Sequence, residues 1–405
     1  STIAEIPVEI CVLPFELPRP KTLARPDEDY VNCSYSYINF DLISQWGSES
    51  HELMLKQYEA ILRDQAIHGQ DMHWLRSALY SSNSNEVYEA LWTLDAMKRM
   101  GMRSDILVAP GATTMRLWGR PKDAKPYTHH DFYTNACDIV KAYDRTIGHH
   151  NVYVGFGDEP GPGWLRDNRP LFEGCQDAGL KFILAGWNAI SDVNPHAMDW
   201  QNMGTFPEEE GAGRIAKKWN ALGKKCAWYG MLHVGPENPV TNRRQYGLVP
   251  YFNGISANCN YAHHLGPYND DSTTYRPMIF AYGTGDGVLD TIQWEGFREG
   301  IDDIRYATEL CRLARQADKS GDFELGRLGR RALMYLASVK RDRDALDAVR
   351  GEMAEYILKL RAALGKDAPG PLFQKRNDKF VFGSLETPAR DVQRKWEGWT
   401  TEGNE

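Results

Sequence analysis

The chain lacks every short motif that would settle a function by itself. Its seven cysteines are scattered with no CxxC pair, which excludes a disulfide framework and a thiolate zinc site. No GxGxxG follows the first strand-like run, no GxSxG occurs and no phosphate loop is present, so dinucleotide, serine-elbow and P-loop chemistry have no foothold. No apolar run approaches the length of a membrane span. The formal charge of −8 argues against a nucleic-acid or anionic-membrane surface. Repeats and low-complexity tracts are missing, as is a basic-apolar leader; because the chain begins at Ser1, a removed leader or a longer parent protein is expected. The compartment stays open, with an exported location slightly favoured.

What is present is a globular composition, 42% hydrophobic and 25% charged over 405 residues, with a surplus of rings: twelve Trp and twenty Tyr. Many of these rings fall at the ends of strand-like runs, where an amphipathic ring suits the C–H face of a sugar, although most are expected to be packing.

A strand–helix rhythm sets in near residue 30. Strand-like runs are Val31–Phe40, Asp71–Trp74 (weak), Asp105–Ala109, Asn151–Gly157, Lys181–Trp187, Met198–Met203, Lys225–Leu232 and Gly254–Tyr261. Between them, residues 51–67, Glu86–Met100, His130–Tyr143, Asn168–Ala178 and Glu208–Ala221 repeat apolar positions at helical spacing. About eight such units are the repeat count of a (β/α)₈ barrel. The expected division is a strand and linker over 1–29, the barrel over 30–294, a helical appendage over 295–365 and an irregular tail over 366–405. In the tail, Trp396 and Trp399 are candidates to brace a second copy of the chain in a homo-oligomer.

The most informative stretch is Asn151-Val-Tyr-Val-Gly-Phe-Gly-Asp-Glu-Pro160, an alternating run that ends in two adjacent carboxylates. Within a strand, neighbouring side chains face opposite ways, so Asp158 and Glu159 can share a cavity only where the backbone turns. The bland reading is a helix start, with Asp158 as N-cap and Pro160 in the first turn. The functional reading places the pair at the carboxyl end of the fourth barrel strand, where glycosidic-bond chemistry uses paired acids. Two close carboxylates cannot both ionise freely, which favours one as a proton donor. A carboxylate nucleophile and an acid must flank the sugar ring about 5 Å apart, and sequence neighbours cannot easily do so. They suit assistance by a 2-acetamido group on the sugar, with Glu159 as acid/base and Asp158 orienting the acetamide.

Other strand ends offer Trp187, Asn188, Trp228, Tyr229, His233, Asn258 and Tyr261 as substrate contacts, with Tyr229 or Tyr261 placed to hold the acetamide oxygen. For each of these, packing is as good a reading as binding. His263-His264 near Asp270-Asp271 suggests metal ligands, but adjacent histidines point apart, so neither metal nor cofactor is expected. Two alternatives stay open: a glycosidase for another sugar, pairing Glu159 with a distant Glu237 or Asp199, and a non-catalytic carbohydrate-binding barrel.

The segment Asp286-Gly-Val-Leu-Asp-Thr-Ile-Gln-Trp-Glu-Gly-Phe-Arg-Glu-Gly-Ile-Asp-Asp303 resembles the end of the catalytic region of glycoside hydrolase family 123 and its uncharacterised relatives. Glu295, Arg298, Glu299, Gly300, Ile301 and Asp303 carry the likeness, and Gly157-Asp-Glu-Pro160 is similar to the family's Asp–Glu pair. Gln293 stands where that pattern has Arg. The resemblance implies a retaining, substrate-assisted β-N-acetylgalactosaminidase without cofactor, with Asp158 as stabiliser and Glu159 as acid/base. Arg298, Glu299 and Asp303 are themselves best read as an ion-pair lattice fastening the closing helix.

Overall fold

The computed structural model describes residues 12–45, 50–110, 127–186, 198–230, 238–264, 279–284 and 287–366. The chain divides into two compact units, Leu17–Leu360 and a smaller one built from the two chain ends. In the smaller unit the Arg361 guanidinium lies over the Phe15 ring at 5.8 Å. All that follows concerns the larger unit.

Strands β1 (Val31–Ser36), β2 (Leu107–Pro110), β3 (Val152–Asp158), β4 (Lys181–Gly186), β5 (Trp200–Met203), β6 (Lys225–Trp228) and β7 (Ala257–His264) form one sheet in the order β1-β7-β6-β5-β4-β3-β2. Every pairing in it is parallel. The place between β1 and β2 is taken by the extended segment 71–75. There the Asp71 amide donates to the Asn32 carbonyl at 2.7 Å and the Leu75 amide to the Val108 carbonyl at 3.0 Å. The Asp71 carboxylate adds a bond of its own, accepting from the Asn32 amide at 2.8 Å. Seven strands and this bridging segment make a ring of eight parallel positions, the (β/α)₈ arrangement.

Among the described residues, helices lie between successive positions except between β4 and β5, where most of the connection lies outside them. His51–Ile67, Ser84–Arg99, His129–Ile147, Arg169–Asp177 and Glu210–Ala221 match the periodic stretches within a few residues. Each buries one face, as with Tyr58, Ile61 and Leu62 on the first of them. After the ring come a hairpin, β8 (Ala281–Gly283) with β9 (Val288–Asp290), and the helices Ile292–Asp318, Phe323–Ser338 and Leu346–Ala363.

Several boundaries differ from the sequence expectation for local reasons. β1 stops at Ser36 because Asn39 accepts from the Leu42 amide at 2.8 Å and opens a helix at Phe40. β6 stops at Trp228, and Gly230, at a φ of 63°, turns the chain where the expected strand continued. The hairpin and the short helices Pro162–Asp167, Pro239–Gln245 and Leu248–Phe252 have too few residues to show a period.

Candidate active site

Asp158 is the last residue of β3, at the carboxyl-terminal end of the fourth ring position. Between Gly155 and Asp158 the register with β4 slips, so that three steps of β3 span two of β4. Such a bulge re-aims the residues that follow it. Glu159 then takes a φ of 41°, the only non-glycine residue with positive φ among the described residues. A left-handed backbone costs a non-glycine residue about 1 kcal/mol or more, and it breaks the alternation that would send neighbours to opposite faces. Both carboxylates are exposed. Burial of part of its surface, and then the neighbouring Glu159 charge, raise the Asp158 carboxyl above its ordinary range.

Tyr229, the residue after β6, donates its hydroxyl to Glu159 Oε1. The Tyr229 backbone is clamped on both sides, its amide to the Met203 carbonyl at 3.2 Å and its carbonyl to the Tyr261 amide at 2.8 Å. Burial, the hydrogen bond to Glu159 and the charges of Glu159 and Asp158 all raise its phenol, so the proton stays on the tyrosine.

An aromatic wall stands beside them. Tyr35 on β1 stacks on Trp74 with ring centroids 4.1 Å apart, and Tyr261 meets Tyr35 edge-on at 5.4 Å. The Tyr37 hydroxyl donates to the Tyr261 hydroxyl at 3.3 Å, and Arg76 covers the Tyr37 ring at 4.8 Å. The Tyr35 hydroxyl accepts from Asn202 Nδ2 on β5 at 3.1 Å. Burial raises the Tyr35 phenol well above its usual value, and the Asp158 charge contributes. Tyr35 and Trp74 were not among the sequence candidates as contacts, whereas Asn202 lay at one of the strand ends that the sequence offered. Their common signal is position, since each lies near the carboxyl end of a ring strand or of the bridging segment.

The remaining candidates divide. Trp187, Asn188, His233 and Glu237 lie outside the described residues, as do Asp270, Asp271, Trp396 and Trp399. Trp228 and Asn258 were expected as substrate contacts, but both are fully buried. The Trp228 ring packs on Tyr246 at 4.8 Å. Asn258, near the start of β7, accepts from the Tyr30 hydroxyl and donates to Asn32 and to the Tyr246 carbonyl. These two hold the ring together beneath the mouth. Asp199 is also removed as a distant partner carboxylate. It precedes β5, at the opposite end of the ring, and accepts from the Phe182 amide at 3.0 Å and Gln176 at 3.2 Å. Among the described residues, the last residue of every other ring strand carries no carboxylate. His263 and His264 diverge, the first to Asp64 and the second to the Ala281 carbonyl at 3.1 Å.

The segment around residues 295–303 is structural in its contacts. Buried Asp303 accepts from Arg243 at 2.7 Å and from Arg350 at 2.7 Å, while Arg350 also reaches Glu299 and Arg298 links Glu295, Glu299 and Asp302. A β-carbon on Gly300 would sit 2.7 Å from the Arg243 carbonyl oxygen, so glycine is what lets the two backbones approach.

No protein-family model matches the chain, and no curated protein matches it. Among solved structures it is similar to a GH5_18 variant from Streptomyces cattleya in complex with Manb1-4GlcNAc, at 12% identity and a TM-score of 0.43, over 80% of this chain and 96% of that one. It is also similar to an endo-beta-1,4-mannanase from Thermotoga petrophila, at 11% identity and a TM-score of 0.37, over 72% and 77% of the two chains. A third is the GH113 beta-mannanase of Alicyclobacillus acidocaldarius in complex with ManMIm, at 9% identity and a TM-score of 0.38, over 68% and 96%. Likenesses this distant carry no argument about activity, and membership of family 123 is not shown by them. The site rests on its own geometry: two adjacent acids at the mouth of an eight-position ring, one of them held by a tyrosine.

Proposed function

We propose that the chain is a retaining glycoside hydrolase that removes a terminal β-linked 2-acetamido sugar, with the sugar's own acetamide as nucleophile. What supports this reading is that Asp158 and Glu159 stand together at the carboxyl end of β3, where a bulge and a left-handed residue break the strand's alternation. Neighbours in sequence project from nearly one point, which suits an acid on the departing oxygen and a stabiliser on the adjacent 2-acetamido group. It does not suit a nucleophile and an acid about 5 Å apart across the ring.

In the first step the acetamide oxygen attacks the anomeric carbon while Glu159 gives its proton to the departing oxygen. Asp158 accepts the acetamide N–H and stabilises the positive oxazolinium. In the second step Glu159 takes a proton from water, which opens the oxazolinium and restores the original configuration. Tyr229 holds Glu159 between these steps. The half-buried rings of Tyr35 and Tyr261, the first backed by Trp74, give the sugar a face to lie on. The family resemblance of the sequence favours N-acetylgalactosamine, and a glycan is the expected partner.

Aryl β-glycosides with and without the 2-acetamido group test the reading. Wild type should hydrolyse the acetamido substrates, Glu159→Gln should lose about 10²- to 10⁴-fold, and Asp158→Asn should lose at least tenfold. Turnover confined to sugars without the acetamide would overturn it, and so would sugar binding without turnover on the whole series.

A further inference from the structure

A second constellation lies apart from the two acids, where the helix His51–Ile67 meets β9 and the helix Ile292–Asp318. Asp64 is buried there. Its Oδ1 accepts from His68 Nδ1 at 2.9 Å, and its Oδ2 accepts from His263 Nε2 at 3.0 Å and Trp294 Nε1 at 3.1 Å. The Asp64 carbonyl lies 2.9 Å from the same His68 Nδ1. Two acceptors on Nδ1 fix a proton at that nitrogen and turn Nε2 away from Asp64.

His68 is 2% exposed, and its Nε2 makes no hydrogen bond. The charged group it faces is Glu295 Oε1, at 3.5 Å. Trp294 stacks on the imidazole, with ring centroids 4.6 Å apart and planes 17° from parallel, and so sets the direction of Nε2. Asp290, at the end of β9, adds another carboxylate. Donor atoms of Asp64, His68 and Asp290 all lie within 4.8 Å of one another. A cavity of about 340 Å³, lined by Lys56, Glu59, Arg63, Asp64, Val288 and Asp290 among others, reaches two carboxylates of the cluster.

We propose that His68 Nε2, Glu295 and Asp290 bind one divalent transition-metal ion of the Zn²⁺ or Mn²⁺ kind, with Asp64 orienting the imidazole. Two donors about 2.1 Å from a tetrahedral ion stand about 3.4 Å apart, which matches the spacing of His68 Nε2 and Glu295 Oε1. A carboxylate behind the other nitrogen is the usual support for a metal-binding imidazole. One imidazole with carboxylates suits zinc or manganese better than calcium or magnesium. The site is structural in its consequence, since it ties the first long helix to the helix that follows the ring.

The test is metal titration of the full chain after chelation, using Zn²⁺, Mn²⁺, Ca²⁺ and Mg²⁺, read by calorimetry and by melting temperature. The expected result is one Zn²⁺ or Mn²⁺ per chain, with melting raised by about 2 °C or more at a hundredfold excess over Kd. Asp290→Asn and Glu295→Gln should each weaken binding at least about tenfold, and His68→Gln should abolish it. If His68→Gln fails to fold, the two carboxylate variants decide. No binding by any of the four ions overturns the assignment, and so does unchanged affinity in both carboxylate variants.

Discussion

Tyr229, just past β6, donates its hydroxyl to Glu159, just past β3, across the mouth of the ring. A hydrogen bond to a charged group is worth about 1.5–3 kcal/mol, so Tyr229→Phe should lower kcat on an aryl acetamido-sugar by about 10- to 100-fold. KM should change by less than about threefold, because the lost contact is to the enzyme's own acid. A raised KM with kcat unchanged would instead place the Tyr229 hydroxyl on the substrate.

The pH dependence follows from Asp158. Burial and the Glu159 charge raise its carboxyl, and its stabilising role needs the ionised form. Activity should therefore climb as pH rises through that value, with an acid limb above the ~4 of an ordinary aspartate. In Glu159→Gln, assayed with a leaving group that departs without protonation, one of the two causes is gone. The limb should move to lower pH. An unmoved limb would remove Glu159 as a cause.

The lattice around Asp303 predicts a loss of stability without a loss of chemistry. Asp303 is 1% exposed and is shared by Arg243 and Arg350. Asp303→Asn leaves two guanidinium groups without their common partner and should cost about 3 kcal/mol or more. Urea denaturation measures this, and kcat per folded molecule should stay within about twofold. A stable variant with a collapsed kcat would move this segment into the reaction.

Two buried groups give opposite pH slopes to stability. His73 lies between Gln65 and Tyr58, and burial lowers its imidazole to about 3. Below the unfolded value of about 6.5 the unfolded chain takes a proton that the folded chain refuses, so stability falls with falling pH by up to about 1.4 kcal/mol per unit. Asp71 does the reverse. Burial raises it to about 6, so the folded chain takes the proton first and gains stability between about 6 and 4. The two slopes oppose each other in the wild type. Relative to wild type, His73→Gln should gain stability as pH falls from 7 to 5, while Asp71→Asn should lose it. Parallel urea curves for all three chains would contradict this.

Much of the ring was legible because its strands and helices carry local periods. Val152 and Val154 alternate with Tyr153, and His51–Ile67 repeats its apolar face. The segment 71–75 was weak because a carboxylate supplies part of its bonding. That bond forms only when β1 is in place. Asp158 and Glu159 were visible as an unusual pair at a strand end, but the slip before Asp158 and the left-handed backbone of Glu159 were not. Trp228 and Asn258 could not be told from rim residues, because a strand's period does not say which face meets solvent and which meets Tyr246. Asp64, His68, Asp290 and Glu295 are beyond any local pattern, since more than two hundred residues separate the two pairs.

Rates on aryl acetamido-sugars whose acetyl group carries zero, one, two or three fluorines test the central claim most directly. Each fluorine makes the carbonyl oxygen a poorer nucleophile, so kcat/KM should fall steeply and monotonically across the series. A flat series would mean that the acetamide does not attack, and the pairing of Asp158 with Glu159 would then need another explanation.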